Sequence, residues 1–288
     1  MNETPTIAII GGSGLYSMPG LEDITEHDLN TPFGKPSAPI ISGTLGGKRV
    51  AFLARHGIGH HISPSEINYR ANIYALKSLG VERLVSISAC GSLRQDYAPG
   101  DLVVPDQIFD QTRNRKRSFF GDGLVAHVSV ADPFCPDLSR QVFQAVKATG
   151  ATAHLGGTFV TIEGPRFSTK AESNIFRSWG ISLIGMTTSP EAFLAREAEL
   201  CYSVMAHVTD YDVWHLDIEP VSVEAVITVL NQNTRVAQHA IVNLVKNLLP
   251  ERQCTCDSAL SNTIITQTAH IPSETRQKLD LLVRKYLS

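Results

Sequence analysis

Short apolar runs that stop at glycines, hydroxyls or carboxylates recur along this chain, and they limit its fold more than any other feature. Thr6 to Ile10 stops at Gly11-Gly12-Ser13-Gly14, and Arg49 to Ala54 at Arg55-His56-Gly57. Arg83 to Ser88 stops at Ala89-Cys90-Gly91-Ser92. Thr158 to Ile162 runs into Glu163-Gly164-Pro165-Arg166-Phe167, and Tyr202 to Val208 into Thr209-Asp210-Tyr211-Asp212-Val213. Each run reads as a buried strand that ends in a turn or binding loop. Helical patterns lie between them, at Ser65 to Leu79 (started by Ser63-Pro64), Asp137 to Thr149, Lys170 to Trp179 and Pro190 to Leu200. Ala38 to Leu45 and Arg49 to Ala54 flank Gly46-Gly47, the pattern of a hairpin. The longest helix spans Val223 to Leu249, with Val226, Leu230, Ala237, Ile241, Leu244 and Leu248 on one buried stripe. Strands mixed with helices and no internal repeat indicate a single α/β domain over residues 1–249. Beyond Pro250 a polar stretch leads to a short amphipathic helix with Leu279, Leu282, Val283 and Tyr286 on one side. Residues 250–288 therefore read as a C-terminal arm, packed on the same domain or on a neighbouring subunit.

Composition narrows the class. Hydrophobic residues make up 43% of 288, enough for a sizeable core. A net charge of −3 supplies no global basic field for nucleic acid or anionic lipid. No apolar run approaches the length of a membrane span, and no secretion signal is evident. Five cysteines, odd in number and scattered, fit a reducing cytoplasm. Cys254-Thr255-Cys256 is too tight for a zinc knuckle and has no second cysteine pair nearby in sequence. It reads as two exposed thiols or as a local disulfide, and no metal site is assigned.

The run ends carry the chemistry. The glycine turn at 11–14 offers backbone N–H groups and the Ser13 hydroxyl to an anion, or it is a plain tight turn. Arg55 offers a bidentate fork for phosphate and His56 a second donor. Ser88 to Ser92 and Met186-Thr187-Thr188 add small polar groups. Such strand ends converge on one shared pocket at one edge of a sheet. Asp210 and Asp212, two residues apart, would point the same way on an extended segment. Two such acids raise each other's pKa, and they match the acceptor and amino donor on the Hoogsteen edge of adenine. A capped turn is the plainer reading of the same residues. Phe167 either stacks on a base or fills the core, and Glu163 with Arg166 forms a structural pair or reaches a ligand. Arg113, Arg115, Lys116 and Arg117 before Phe119-Phe120 read as a solvated loop or a nucleic-acid patch.

Taken together, these pieces resemble the 5′-methylthioadenosine phosphorylases, a branch of the trimeric purine nucleoside phosphorylases. The resemblance rests on Gly11 to Leu15, Thr31 to Ser37, Ala54 to Gly57, Pro64, Asn68-Tyr69, Ala89 to Leu93, Pro133 to Pro136, Ile162 to Ser168, Met186 to Thr188 and Thr209 to Asp212. It covers nearly all of residues 5–249 in order. It implies a mixed, barrel-like central sheet flanked by helices, and a homotrimer, with a homohexamer as the alternative. It implies phosphorolysis of 5′-methylthioadenosine, in purine and methionine salvage, with phosphate as co-substrate and no cofactor. Phosphate would lie among Ser13, Arg55, His56, Ser88, the Ala89 backbone and Thr187. Asp210 would face ring nitrogen 7 as the catalytic acid and Asp212 the amino group. Phe167 would pack near the base and Met186 against the ribose. Val223, Val226 and Ile227 would line the methylthio pocket, approached by His127 of a neighbouring subunit.

Three rivals remain on the sequence. A 6-oxopurine nucleoside phosphorylase would place an oxo group against the lone pairs of Asp212. A nucleotide-binding oxidoreductase lacks the ribose-binding acid and the second glycine of its fingerprint. A nucleic-acid binder would use Arg113 to Arg117.

Overall fold

The computed structural model describes residues 4–12, 18–215 and 223–287; from 223 to 233, only Val229 is described beyond its backbone. The strands are β1 (Ile7–Gly11), β2 (Glu22–His27), β3 (Ile40–Leu45), β4 (Lys48–Ala54), β5 (Arg83–Ser92), β6 (Leu102–Val104), β7 (Gln107–Gln111), β8 (Ala153–Leu155), β9 (Thr158–Ile162), β10 (Leu183–Gly185) and β11 (Cys201–Asp210). The helices are α1 (Tyr69–Ser78), α2 (Pro136–Lys147), α3 (Lys170–Ser178), α4 (Thr188–Glu197), α5 (Val223–Asn247) and α6 (Ser273–Val283).

Among the described residues, one mixed sheet carries eleven strands, in the order β2-β3-β4-β1-β5-β10-β9-β7, and it forks at β5, where β11, β6 and β8 branch off. The barrel-like curvature belongs to the resemblance; the pairings themselves describe a fork. β5 can serve three neighbours because it is long. Its first four residues pair with β1, Arg83 to Gly91 with β11, and its last two residues with β10. β4, β1, β5 and β11 run parallel, so their carboxyl ends meet at one edge.

Alternation along the strands divides most of the core into two layers, because successive side chains leave a strand on opposite faces, and a smaller third cluster gathers Leu93, Val160, Phe176, Ile181 and Ile184. Ala8, Ile10, Leu84, Val204 and Ala206 face one layer with Ile73 and Leu76 of α1, Leu194 of α4, and Leu279 and Leu282 of α6. Ile7, Ile9, Val85, Ile87 and Met205 face the other with Leu138 and Val142 of α2, and Ile241 and Leu244 of α5. Covered on both faces, these strands read as continuous apolar runs.

The C-terminal arm lies on the same chain. Ile271 and Leu287 join the first layer, Ala126 bridges Ile264, and the His127 N–H donates to the Thr263 carbonyl at 2.9 Å.

Three elements depart from the sequence pattern. β2 is exposed and polar, an edge strand held by β3 rather than by burial. α1 begins after Asn68, not at Ser63-Pro64, because the Asn68 side chain caps the Ala71 N–H at 3.2 Å. α4 begins at Thr188, before Pro190.

Candidate active site

A cavity of about 270 Å³ opens at the edge where the parallel strands end. Arg55, His56, Ser88, Ala89, Phe167, Met186, Thr187, Asp210 and Asp212 all line it. Gly12 reaches the same cavity, while Ser13 lies outside the described residues. Side chains of Val223, Val226 and Ile227 also lie outside; their helix reaches the cavity at Thr234 and Ala237. His127 lines a separate surface depression with Arg117, Val130, Phe193 and Glu197.

Arg55 corrects one expectation. Its fork grips Glu191 rather than standing open for an anion, with Nε to Oε2 at 2.8 Å and Nη2 to Oε1 at 3.1 Å. Nη2 also meets the Ser86 hydroxyl at 2.6 Å and the Ile10 carbonyl at 3.2 Å, and Nη1 donates to the Ile87 carbonyl at 3.1 Å. Tyr202 donates its hydroxyl to Glu191 at 2.8 Å. At most one N–H, on Nη1, is left for a ligand. Both charges are almost fully buried. Burial opposes the Arg55 charge, but Glu191 raises its pKa above the ordinary value.

His56 is also not the simple donor expected. Its Nδ1 lies 2.9 Å from the Ile62 carbonyl, which can only accept, so Nδ1 carries the hydrogen. Burial first, and then Arg55, push its pKa down to about 4. In the neutral ring Nε2 therefore presents a lone pair. His60 stacks on it, with ring centres 4.2 Å apart. The Ser88 and Thr187 hydroxyls lie 3.3 Å apart and complete a neutral polar wall.

The carboxylates sit together, but not for the reason the spacing suggested. Asp210 ends β11, where a register irregularity falls between Val208 and Asp210. Asp212 lies in the following turn with φ +51, not on a strand. The turn is held by Trp214, whose Nε1 donates to the Ser92 carbonyl at 2.7 Å and whose ring is covered by Arg177 at 3.3 Å. The Asp212 N–H donates to Asp210 Oδ1 at 2.7 Å, and the Thr209 hydroxyl meets Asp210 Oδ2 at 2.6 Å. Burial raises both carboxyl pKa values; the Asp212 charge adds to the shift at Asp210. Asp212 Oδ2 is buried and accepts no hydrogen bond from the described residues. Ser168 and Ser173 stand close enough to offset part of its shift. Gly91 makes this proximity possible: a Cβ there would lie 2.8 Å from Asp210 Oδ1 and 3.0 Å from Ile184 Cγ2.

His207, read only as part of an apolar run, also lines the cavity. It is 1% exposed and neither ring nitrogen has a hydrogen-bond partner among the described residues. Burial lowers its pKa to about 4, so it stays neutral. A histidine inside a strand otherwise made of apolar and small residues was the available signal.

The basic cluster is structural at its centre. Arg115 is buried, and it donates to the Met186 carbonyl at 2.6 Å, the Ser189 carbonyl at 2.7 Å and the Glu163 carbonyl at 2.6 Å. It thus fixes the loop that carries Met186 and Thr187. Glu163 does not pair with Arg166: it accepts from the Arg113 and Asn114 N–H groups and the Ser65 hydroxyl. Arg166 instead grips Glu172 at 2.7 and 2.8 Å.

The arrangement holds neutral hydroxyls near a compensated arginine, and two carboxyls whose pKa values burial raises. Such a cavity suits an oxyanion beside a heteroaromatic group that must gain a proton.

Comparison with known proteins agrees. The phosphorylase superfamily profile matches residues 6–246. The S-methyl-5′-thioadenosine phosphorylase of Geobacter sulfurreducens is 52% identical over 282 residues, 98% of this chain and 99% of that one. A methylthioadenosine phosphorylase from an antarctic soil metagenomic library superposes with a TM-score of 0.93 at 45% identity, covering 97% and 99% of the two chains. A variant adenosine/methylthioadenosine phosphorylase from Schistosoma mansoni, in complex with methylthioadenosine, gives a TM-score of 0.83 at 35% identity, covering 88% of this chain and 95% of that one. With fold, relatives and cavity in agreement over nearly its whole length, the chain belongs to the phosphorylase superfamily, among the S-methyl-5′-thioadenosine phosphorylases.

Proposed function

We propose that this chain catalyses phosphorolysis of 5′-methylthioadenosine, giving adenine and 5-methylthioribose 1-phosphate. The observation that carries the reading is the pair of carboxyls, Asp212 buried and Asp210 half-buried, one of which keeps an unpartnered oxygen in the cavity wall. Asp212 Oδ2 accepts from the adenine amino group. A 6-oxo group at the same place would set lone pair against lone pair.

Asp210 is the acid. Burial keeps it protonated to higher pH than an ordinary aspartate. The Thr209 hydroxyl also lies 3.2 Å from the Cys90 carbonyl, so it can turn there and accept from protonated Asp210. As the bond from the anomeric carbon to ring nitrogen 9 breaks, its electron pair moves onto the purine and the Asp210 proton passes to ring nitrogen 7. A phosphate oxygen forms the new bond to the anomeric carbon. In balance, the proton of hydrogen phosphate ends on adenine. Phosphate sits among Ser13, Arg55, His56, Ser88, the Ala89 backbone and Thr187, and its hydroxyl donates to His56 Nε2. Holding anion and nucleoside together removes much of the entropic barrier, and the anion stabilises positive charge growing on the ribose.

Phe167 packs on the base and Met186 on the ribose. Val223, Val226 and Ile227 receive the methylthio group, and His127 approaches that pocket in a neighbouring copy. The working form is then a homotrimer or homohexamer in the cytoplasm, without cofactor.

The test is adenine release from 5′-methylthioadenosine with and without inorganic phosphate, beside methylthioinosine under the same conditions. The reading predicts phosphate-dependent release of adenine and much slower release of hypoxanthine. Equal rates, or release that ignores phosphate, contradict it.

A further inference from the structure

Four of the five cysteines gather far from the cavity. Cys135 precedes α2, Cys201 opens β11, and Cys254 and Cys256 lie on the arm after α5. Their sulfurs all lie within 4.8 Å of one another, and Cys201 and Cys254 approach to 3.3 Å. The second pair that sequence did not place near Cys254 and Cys256 is supplied by the fold. We propose that Cys135, Cys201, Cys254 and Cys256 form a closed tetrathiolate site for one zinc ion, which fastens the C-terminal arm to the sheet.

The spacing of the four sulfurs can accommodate a tetrahedral centre. Zinc–sulfur bonds of about 2.3 Å place neighbouring sulfurs about 3.8 Å apart. Every thiol here has the three others within reach of one centre, so the group is a single cluster. Thiolates select soft or borderline ions such as zinc over calcium or magnesium. Three of the four cysteines are buried and Cys254 is half-buried, which leaves no open coordination position and makes the site structural.

The surroundings suit the negative charge of such a site. Zinc displaces the four thiol protons, and the product carries two negative charges. The Leu138 N–H, in the first turn of α2, donates to Cys135 Sγ at 3.4 Å. Arg196 Nη1 lies 3.5 Å from Cys256 Sγ. Arg252, on the arm between α5 and Cys254, is held by Glu82 and Asp257, each at 3.8 Å. Such N–H donors to ligand sulfur orient and stabilise metal thiolates.

The consequence is mechanical. Cys201 and Asp210 are the two ends of β11, so the metal binds the end of the strand remote from the carboxyl pair. It fixes the arm whose Thr263 and Ile264 hold the segment at Ala126 and His127.

The experiment uses the full chain, purified without added metal or chelator. Elemental analysis is expected to find one zinc per chain. Zinc K-edge absorption is expected to show four sulfur neighbours at about 2.3 Å. Cys254→Ser and Cys256→Ser should each lower zinc content at least about tenfold, given the loss of one of four ligands. Chelation under reducing conditions should lower Tm, and added Zn²⁺ should restore it. Metal-free wild-type protein that takes up no Zn²⁺ when fully reduced overturns the proposal. So does a wild-type mass lowered by one or two pairs of hydrogens, which would mark disulfides. Both of these readouts use the wild-type chain, so a variant that fails to fold does not blunt the test.

Discussion

Arg55 and Asp210 line the same cavity, and the fold treats their charges in opposite ways. Arg55 is enclosed by Glu191, the Ser86 hydroxyl and two carbonyls, so its charge is matched before any ligand arrives. Asp210 is largely buried with only a hydroxyl and one N–H, beside a second acid. The matched region serves as fixed scaffold. The unmatched region holds a carboxyl whose burial favours its protonated form relative to an ordinary aspartate. A buried ion pair gives position, while a buried acid without a cation gives chemistry.

The sharpest way to break the comparison is Asp210→Asn. It keeps the shape and removes the acid, so kcat for 5′-methylthioadenosine should fall on the order of 10³-fold. Phosphate affinity, measured by titration, should change little. In the wild type, kcat should also fall as pH rises through the raised Asp210 pKa, and this limb should vanish in the variant. The sign comes from burial: a carboxyl with raised pKa is competent below that value and loses its proton above it. For the same reason its contribution to stability is full at low pH and lost as pH rises through the folded-state value.

Glu191→Gln attacks the matched region. It leaves Arg55 buried beside a neutral amide and should destabilise the fold by about 3 kcal/mol. Denaturant unfolding would measure it. A change under about 1 kcal/mol would mean that solvent reaches Arg55 and that the contrast is false.

Gly91→Ala probes the contact between β5 and the acids. Its methyl would crowd Asp210 Oδ1 and Ile184, and displacing the acid by about 1 Å should cost on the order of 10² in kcat. Thermal unfolding of the same variant separates a lost acid from a lost fold.

Ser88→Ala is the mildest. It removes one of several neutral groups from the anion wall, worth about 1 kcal/mol, so KM for phosphate should rise roughly fivefold with kcat nearly unchanged.

How far these features can be read in the chain depends on the distance over which each is decided. β1, β5 and β11 are legible because both faces are covered and the apolar runs are unbroken. β2 is not, since an exposed edge strand carries no hydrophobic pattern. The cavity can be anticipated from the glycines, hydroxyls and acids at the strand ends, and nine of the residues expected there line it. Arg55 is visible, but its partner Glu191 stands 136 residues later and nothing local announces the pair. The acid pair stands out by its spacing, yet its geometry depends on the left-handed turn at Asp212, which spacing cannot reveal. The cysteine cluster is the extreme case: three separate segments meet only because α2, β11 and the arm pack together.

The claim that Asp210 protonates the departing base is tested most directly by changing what departs. Wild type and Asp210→Asn would be compared on 5′-methylthioadenosine and on a 5-methylthioriboside whose leaving group is stable as an anion. A loss on the order of 10³ with the purine, shrinking to less than about tenfold with the self-sufficient leaving group, is the predicted result. Equal losses with both substrates would contradict it, and would assign Asp210 to holding the cavity together.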